Sequence, residues 1–202
     1  MAFNTAVIVG LAGNDWTARL SSALPMARAS VASADELPGL APGSFDLCIV
    51  IGELETASDL ATTAFALRHL LAPGGLLIGA IVGGKSLPRL RAAMLAADRI
   101  GGVIAPRIHP SIDGPSLSAL LASVGMVEPV VDIDRLDVSY ASLDRLVADL
   151  RAMGCTNILA ERSRRPINRR ELGAARSAFL GGNDRINERF ELVHFAAWTP
   201  VH

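Results

Sequence analysis

Two short glycine-bearing turns hold the residues best placed to do chemistry. Gly10-Leu11-Ala12-Gly13 follows the apolar run Thr5–Val9. Glycines let backbone N–H groups approach a ligand closely, and a helix start behind such a turn favours anions. The same spacing also makes a tight strand-to-helix turn with no ligand. Gly52-Glu53-Leu54-Glu55 ends a second apolar run, Phe45–Ile51. It sets two carboxylates at a strand end, where they either act on a substrate or sit solvated. Asp35 and Glu36 stand just before Pro38, and Val82–Lys85 closes a third apolar run.

The other concentration of chemistry is basic. Arg162, Arg164, Arg165, Arg169 and Arg170 lie within a few residues of Glu161 and Glu171. Such a cluster docks an acidic partner or a phosphate group, or it is a solvated run with weak ion pairs. No aromatic residue interleaves the arginines, which argues against single-stranded nucleic acid. His109, beside Pro110 and two residues after Arg107, is either catalytic or a structural hydrogen-bonder. No Ser-His-Asp order or metal-ligand spacing stands out.

The elements that must position these groups alternate. Thr5–Val9 reads as a buried strand, and Asn14 or Asp15 could cap a helix to about Leu24. Arg28–Ser33 reads as a second strand, and Phe45–Ile51 as a third. Ser58 is the expected cap of a helix burying Leu60, Ala64, Leu67 and Leu71, stopped by Pro73-Gly74-Gly75. Leu76–Val82 is the next strand and Leu87–Ile100 a helix with Pro88 in its first turn. After an irregular stretch, Ser116–Val124 is helical, and Val127–Val138 alternates as an edge strand. Ser142 caps a helix carrying Leu143, Leu146, Val147, Leu150 and Met153. Asn168–Leu180 is helical, and Arg189–Trp198 is the last strand. Strand, helix and strand joined by short loops force a parallel sheet with helices on its faces.

Composition narrows the class. The 202 residues suit one domain, 1–202, with a helical insertion at about 142–182 before the last strand. Half the residues are apolar and the net charge is −1, so no global field draws the chain to nucleic acid or anionic lipid. The basic residues concentrate after residue 83; before it stand only Arg19, Arg28 and Arg68. Cys48 and Cys155 form no disulfide framework, which fits a reducing cytoplasm. The longest apolar stretch, 69–84, is broken by Pro73 and glycines and is too short for a membrane span.

The whole resembles the class I S-adenosylmethionine methyltransferases. Ser44-Phe45-Asp46-Leu47 resembles the element that opens that fold's fourth strand. Leu70-Leu71-Ala72-Pro73-Gly74-Gly75-Leu76-Leu77 resembles the turn before its fifth, and Asp35-Glu36-Leu37-Pro38 the loop after its third. Gly83–Leu87, Gly101-Gly102, Pro106–Pro110, Tyr140–Pro166, Phe190-Glu191 and Trp198–Pro200 extend the likeness. They resemble the mitochondrial complex I assembly factor family and its alphaproteobacterial relatives, themselves similar to the malonyl carrier-protein methyltransferases. The resemblance implies a Rossmann-like, mostly parallel sheet with helices on both faces and an antiparallel C-terminal strand. It implies S-adenosylmethionine as cofactor, with no metal. In the assembly factor it implies arginine hydroxylation.

On that resemblance, Gly10, Leu11, Gly13, Asp35, Glu36, Gly52 and Glu53 are the candidate cofactor contacts. Asp35 would accept a hydrogen bond from an adenine amino group, or only shape its turn. Arg107, His109, Tyr140, Arg164 and Arg165 are the candidate rim for substrate or partner. The departures concentrate at the cofactor. An acid normally precedes the first glycine and holds the methionine amino group, but Val7-Ile8-Val9 stands there. Another acid normally ends the second strand and accepts the ribose hydroxyls, yet between Gly13 and Asp35 only Asp15 occurs. That stretch is also about one strand–helix unit short. The loop after the fourth strand normally carries a His-Trp pair, replaced here by Leu54-Glu55-Thr56. These features predict a weakened or lost cofactor site on a scaffold that serves protein assembly or interaction. The alternative is an active methyltransferase or arginine hydroxylase-like enzyme acting on a protein or a small acid. The 161–170 region would bind a client, and a homodimer is compatible.

Overall fold

The computed structural model describes residues 3–10, 22, 28–55, 57, 59–102, 104, 106–107, 111–155, 157, 159 and 162–201. The helix expected up to Leu24 lies outside them, as do Leu11, Gly13 and His109. The strands are β1 (Thr5–Gly10), β2 (Arg28–Ala32), β3 (Phe45–Ile51), β4 (Leu71–Val82), β5 (Val127–Tyr140) and β6 (Ile186–Trp198). The helices are α1 (Leu60–Leu70), α2 (Pro88–Gly101), α3 (Gly114–Ser123), α4 (Leu143–Ala152) and α5 (Arg169–Leu180). A 3-10 turn covers Ala34–Gly39.

One sheet runs in the order β2-β1-β3-β4-β6-β5. The β1–β2, β1–β3 and β3–β4 pairs are parallel, and β6 runs antiparallel to β4. After β2 the chain returns to the other side of β1. That reversal leaves a crevice at the carboxyl ends of β1 and β3, where ligands of such sheets bind.

The contacts divide the chain into two compact units. The first comprises Met1–Gly83, Ser111–Asp134 and Leu192–His202. Here Ala6, Val7, Ile8 and Val9 are wholly buried, as a strand covered on both faces requires. Val7, Val9, Cys48 and Val50 pack with Leu67 and Leu70 of α1 and Leu117 and Leu121 of α3. Ala6, Leu47 and Ile49 form the core of the opposite face, with Phe3 and Ile78 against them. The second unit is Gly84–Pro110 and Arg135–Glu191. Its core is Leu90, Ala93 and Ala97 of α2, Leu143 and Leu146 of α4, and Ala175 and Phe179 of α5. The expected 142–182 insertion falls within this unit.

Several boundaries differ from expectation for local reasons. The cap of α1 is Asp59, whose carboxylate accepts the N–H groups of Ala61 (3.0 Å) and Thr62 (3.2 Å); the expected cap, Ser58, lies outside the described residues. The buried face is Ala64, Leu67 and Leu70, and Leu71 already belongs to β4. Pro73-Gly74-Gly75 therefore does not stop the helix. It sits inside β4, where the pairing jumps from Phe45↔Leu71 to Leu47↔Leu76. Thr199 pins that bulge, its hydroxyl donating to Ala72 O (2.6 Å) and accepting Gly75 N–H (2.9 Å). α3 starts at Gly114, two residues before Ser116, because Asp113 caps it by accepting Ser116 N–H at 2.8 Å.

Candidate functional site

At the carboxyl edge of the first unit, Gly10 pairs with Ile51 and has φ +123°. A Cβ at Gly10 would overlap the Ile51 carbonyl oxygen and come within 3.0 Å of Glu53 Cγ. Glycine is thus demanded here by the neighbouring strand and by Glu53. Gly52, with φ +75°, turns the chain out of β3. The structure so brings Gly10, Gly52 and Glu53 together, as the sequence suggested.

Glu55 completes this edge. Its Oε1 accepts the N–H of Val82, the last residue of β4, at 2.7 Å. Its Oε2 is buried with no hydrogen-bond partner among the described residues. Burial pushes this carboxyl above the ordinary glutamate value, and nearby Glu53 adds to the effect. Leu54 between them is buried.

Beyond β2, which flanks β1, Glu36 turns back on its own turn. Its Oε2 accepts the backbone N–H of Ser33 (2.7 Å) and the Ser33 hydroxyl (2.9 Å). These bonds, the backbone one foremost, hold its pKa below the usual glutamate range. Asp35 is exposed and makes no side-chain hydrogen bond among the described residues.

The rim candidates described here lie in the second unit, and most are structural. Arg107 donates from Nε (3.0 Å) and Nη2 (2.5 Å) to Oδ1 of Asp98, whose side chain is 3% exposed. Arg165 donates to Oε1 of buried Glu171. Glu171 also accepts N–H groups from the Asn168 backbone and side chain, closing a capping box at the start of α5. Hydrogen bonding from Arg165 foremost keeps the Glu171 pKa low. A Cβ at Gly101 would stand 2.7 Å from both Arg165 Nη2 and Glu171 Oε1, so the end of α2 is moulded to that pair. Tyr140 is buried, and its pKa is raised by burial and by Asp149 beside its hydroxyl. Arg164, Arg169 and Arg170 are exposed and pair with no acid among the described residues.

Sequence reasoning passed over Glu188 and gave Glu191 no role beyond its place in the family likeness. Glu188 is wholly buried. It accepts Arg89 N–H (3.1 Å), Leu90 N–H (2.8 Å) and its neighbour Arg189 N–H (3.0 Å). Leu87, the residue before α2, supplies no side-chain cap and has φ +59°. Glu188 therefore caps α2 from a distant strand. The available signal was phase: Glu191 shares the buried alternation of Val193, Phe195 and Ala197, and a buried acid requires partners.

No protein-family model matches the chain. Among curated proteins, the malonyl-[acyl-carrier protein] O-methyltransferase of Xylella fastidiosa is 31% identical over 151 residues, 73% of this chain and 50% of that protein. The mitochondrial arginine-hydroxylase NDUFAF5 of Danio rerio is 30% identical over 163 residues, 78% of this chain and 50% of that protein. The chain spans about half the length of the curated relatives it matches. Among solved structures, a Haemonchus contortus phosphoethanolamine N-methyltransferase 2 in complex with S-adenosyl-L-methionine superimposes with TM-score 0.56. That match is 11% identical and covers 98% of this chain and 49% of that one. An S-adenosylmethionine-dependent methyltransferase of Archaeoglobus fulgidus gives TM-score 0.52 at 9% identity, covering 96% and 86%. By fold and by sequence kinship, the chain belongs to the class I S-adenosylmethionine-dependent methyltransferase family, with the malonyl-[acyl-carrier protein] O-methyltransferases and the arginine-hydroxylase NDUFAF5 as homologues.

Proposed function

We propose that this chain is a methyltransferase-fold scaffold with a weakened cofactor site, working by binding a protein partner. The observation that carries this is the fate of the acids at the carboxyl edge. β1 brings no carboxylate to Gly10. Glu36 is engaged by Ser33, and Glu55 by Val82. Asp35 is left as the exposed acid after β2. Gly10 does not argue for a cofactor either, since the Ile51 carbonyl already accounts for it. Glu53 stands beside Gly10 but comes from the loop after β3, not from the ends of β1 or β2, so the described residues do not fit a tightly held adenosyl group. Each missing charged hydrogen bond weakens binding by about 1.5–3 kcal/mol. The partner surface would be the exposed arginines Arg164, Arg169 and Arg170, which suit an acidic protein. A thermal-shift titration tests the cofactor half of this reading. A ligand at 100 times its dissociation constant adds about 2.7 kcal/mol of stability. With ~1 mM S-adenosylhomocysteine a stabilisation of no more than about 1.4 kcal/mol is expected, and the about 4 kcal/mol of a micromolar site would overturn the reading.

Two observations favour a retained enzyme: the homologues are named as enzymes, and Glu53 and Glu55 bring two acids to the same edge. On that reading the chain transfers a methyl group or hydroxylates arginine. Formation of S-adenosylhomocysteine by the purified chain with malonyl-[acyl-carrier protein] would establish methyl transfer, and gain of one oxygen atom by an arginine peptide, with dioxygen and a reductant supplied, would establish hydroxylation.

A further inference from the structure

The second unit contains a cavity of about 720 Å³ lined by Lys85, Pro88, Arg135 and Arg189. Three of its four lining residues are cationic. Arg135 Nε donates to Oε2 of buried Glu191 (3.1 Å), which leaves both of its Nη groups. Arg189 donates from Nε (2.9 Å) and Nη2 (3.2 Å) to the two oxygens of Asp137, which leaves Nη1. Each acid thus fixes a half-exposed guanidinium while part of its fork has no protein partner among the described residues. Lys85 is exposed and pairs with no carboxylate among the described residues. The Glu188 oxygens are taken by backbone N–H groups, and no ion pair joins Glu188 to Lys85 among the described residues.

The loop that carries Lys85 is also held in shape. Ser86 Oγ donates to Glu191 O (3.1 Å) and accepts Glu191 N–H (2.8 Å). Leu87 N–H donates to Arg189 O at 2.8 Å. These clamps keep Leu87 at φ +59°, a conformation that a leucine rarely adopts. Lys85 is therefore presented beside the two arginines by a rigid, strained turn.

We propose that this cavity binds the phosphoryl group of a small phosphomonoester. A phosphoryl group carries about −1.5 to −2 charge at pH 7 and three strong acceptor oxygens. It suits two guanidinium edges plus an ammonium, whereas a carboxylate carries one charge and is satisfied by a single fork. The volume lies within the ~300–1,000 Å³ range of small-molecule sites, larger than free phosphate needs. The site does not depend on cofactor binding at the Gly10 edge.

Isothermal titration of the full chain with ribose 5-phosphate, inorganic phosphate and ribose, at fixed ionic strength, tests the proposal. Ribose 5-phosphate is expected to bind saturably and more tightly than inorganic phosphate, and ribose not at all. Lys85→Met should weaken binding ~10-fold or more, while Lys85→Arg retains most of it. Lys85 is exposed, and unchanged circular dichroism of both variants confirms an intact fold. No saturable binding of ribose 5-phosphate, equal affinity for inorganic phosphate, or unchanged binding by Lys85→Met would each overturn the proposal.

Discussion

Replacing Glu188 removes the cap that α2 receives from β6. The side chain is 0% exposed, and its two oxygens accept three backbone N–H groups, two of them from the first turn of α2. Those helical donors have no other cap, because Leu87 offers none. In Glu188→Gln the amide keeps one acceptor oxygen but turns an NH2 group toward donors. One charge-assisted bond is lost, at about 1.5–3 kcal/mol. Glu188→Ala removes every acceptor and leaves buried donors unsatisfied at about 1–3 kcal/mol each, so a total near 3–5 kcal/mol is expected. Urea unfolding followed by circular dichroism gives both values. Native-state hydrogen exchange should show the Leu90 amide losing protection first. A loss below ~0.5 kcal/mol in Glu188→Ala would refute the cross-strand cap.

Other consequences follow from the same geometry. Gly10→Ala should destabilise the chain by about 2 kcal/mol or more, since φ +123° and the Ile51 carbonyl both oppose a Cβ; thermal melting measures it. The Cys48 thiol, pushed to about 12 by burial, should stay inert to a thiol reagent in the native state while exposed Cys155 reacts. One equivalent before denaturation and two after are expected. Glu55 has a raised folded-state pKa, so its contribution is fully present below the unfolded value of 4.5 and lost as pH rises through the folded value. Glu55→Gln removes that loss, and its stability relative to the parent should grow as pH rises through and above 4.5. A difference independent of pH would count against the buried carboxyl.

Where hydrophobic period and glycine chemistry decide the outcome, the sequence was readable. β1 and β3 are continuous apolar runs because both faces are covered, and the Gly10 and Gly52 turns mark their ends. α1 was misread at both ends because two capping residues stood side by side, and because Pro73-Gly74-Gly75 serves a strand bulge as readily as a helix stop. The rim was least legible. Arg107 and Arg165 stand in the sequence as candidate rim residues, with Glu171 an alternative partner for the arginine run; the Arg165–Glu171 pair forms, but the burial of Glu171, and the Asp98 partner of Arg107, come from helix packing that no local pattern reveals. The Lys85 cavity depends on residues 50 and 104 positions apart, which only the fold brings together.

On the proposed function, the family fold is kept while the grip on its cofactor is loosened. Calorimetric titration of the full chain with S-adenosylhomocysteine tests it most directly. Two absent carboxylate bonds, at about 1.5–3 kcal/mol each, correspond to roughly a hundred- to ten-thousand-fold weaker binding. A dissociation constant of ~0.1 mM or weaker is predicted, measured from a micromolar starting point. A saturable, one-to-one isotherm at ~1 µM would contradict the account.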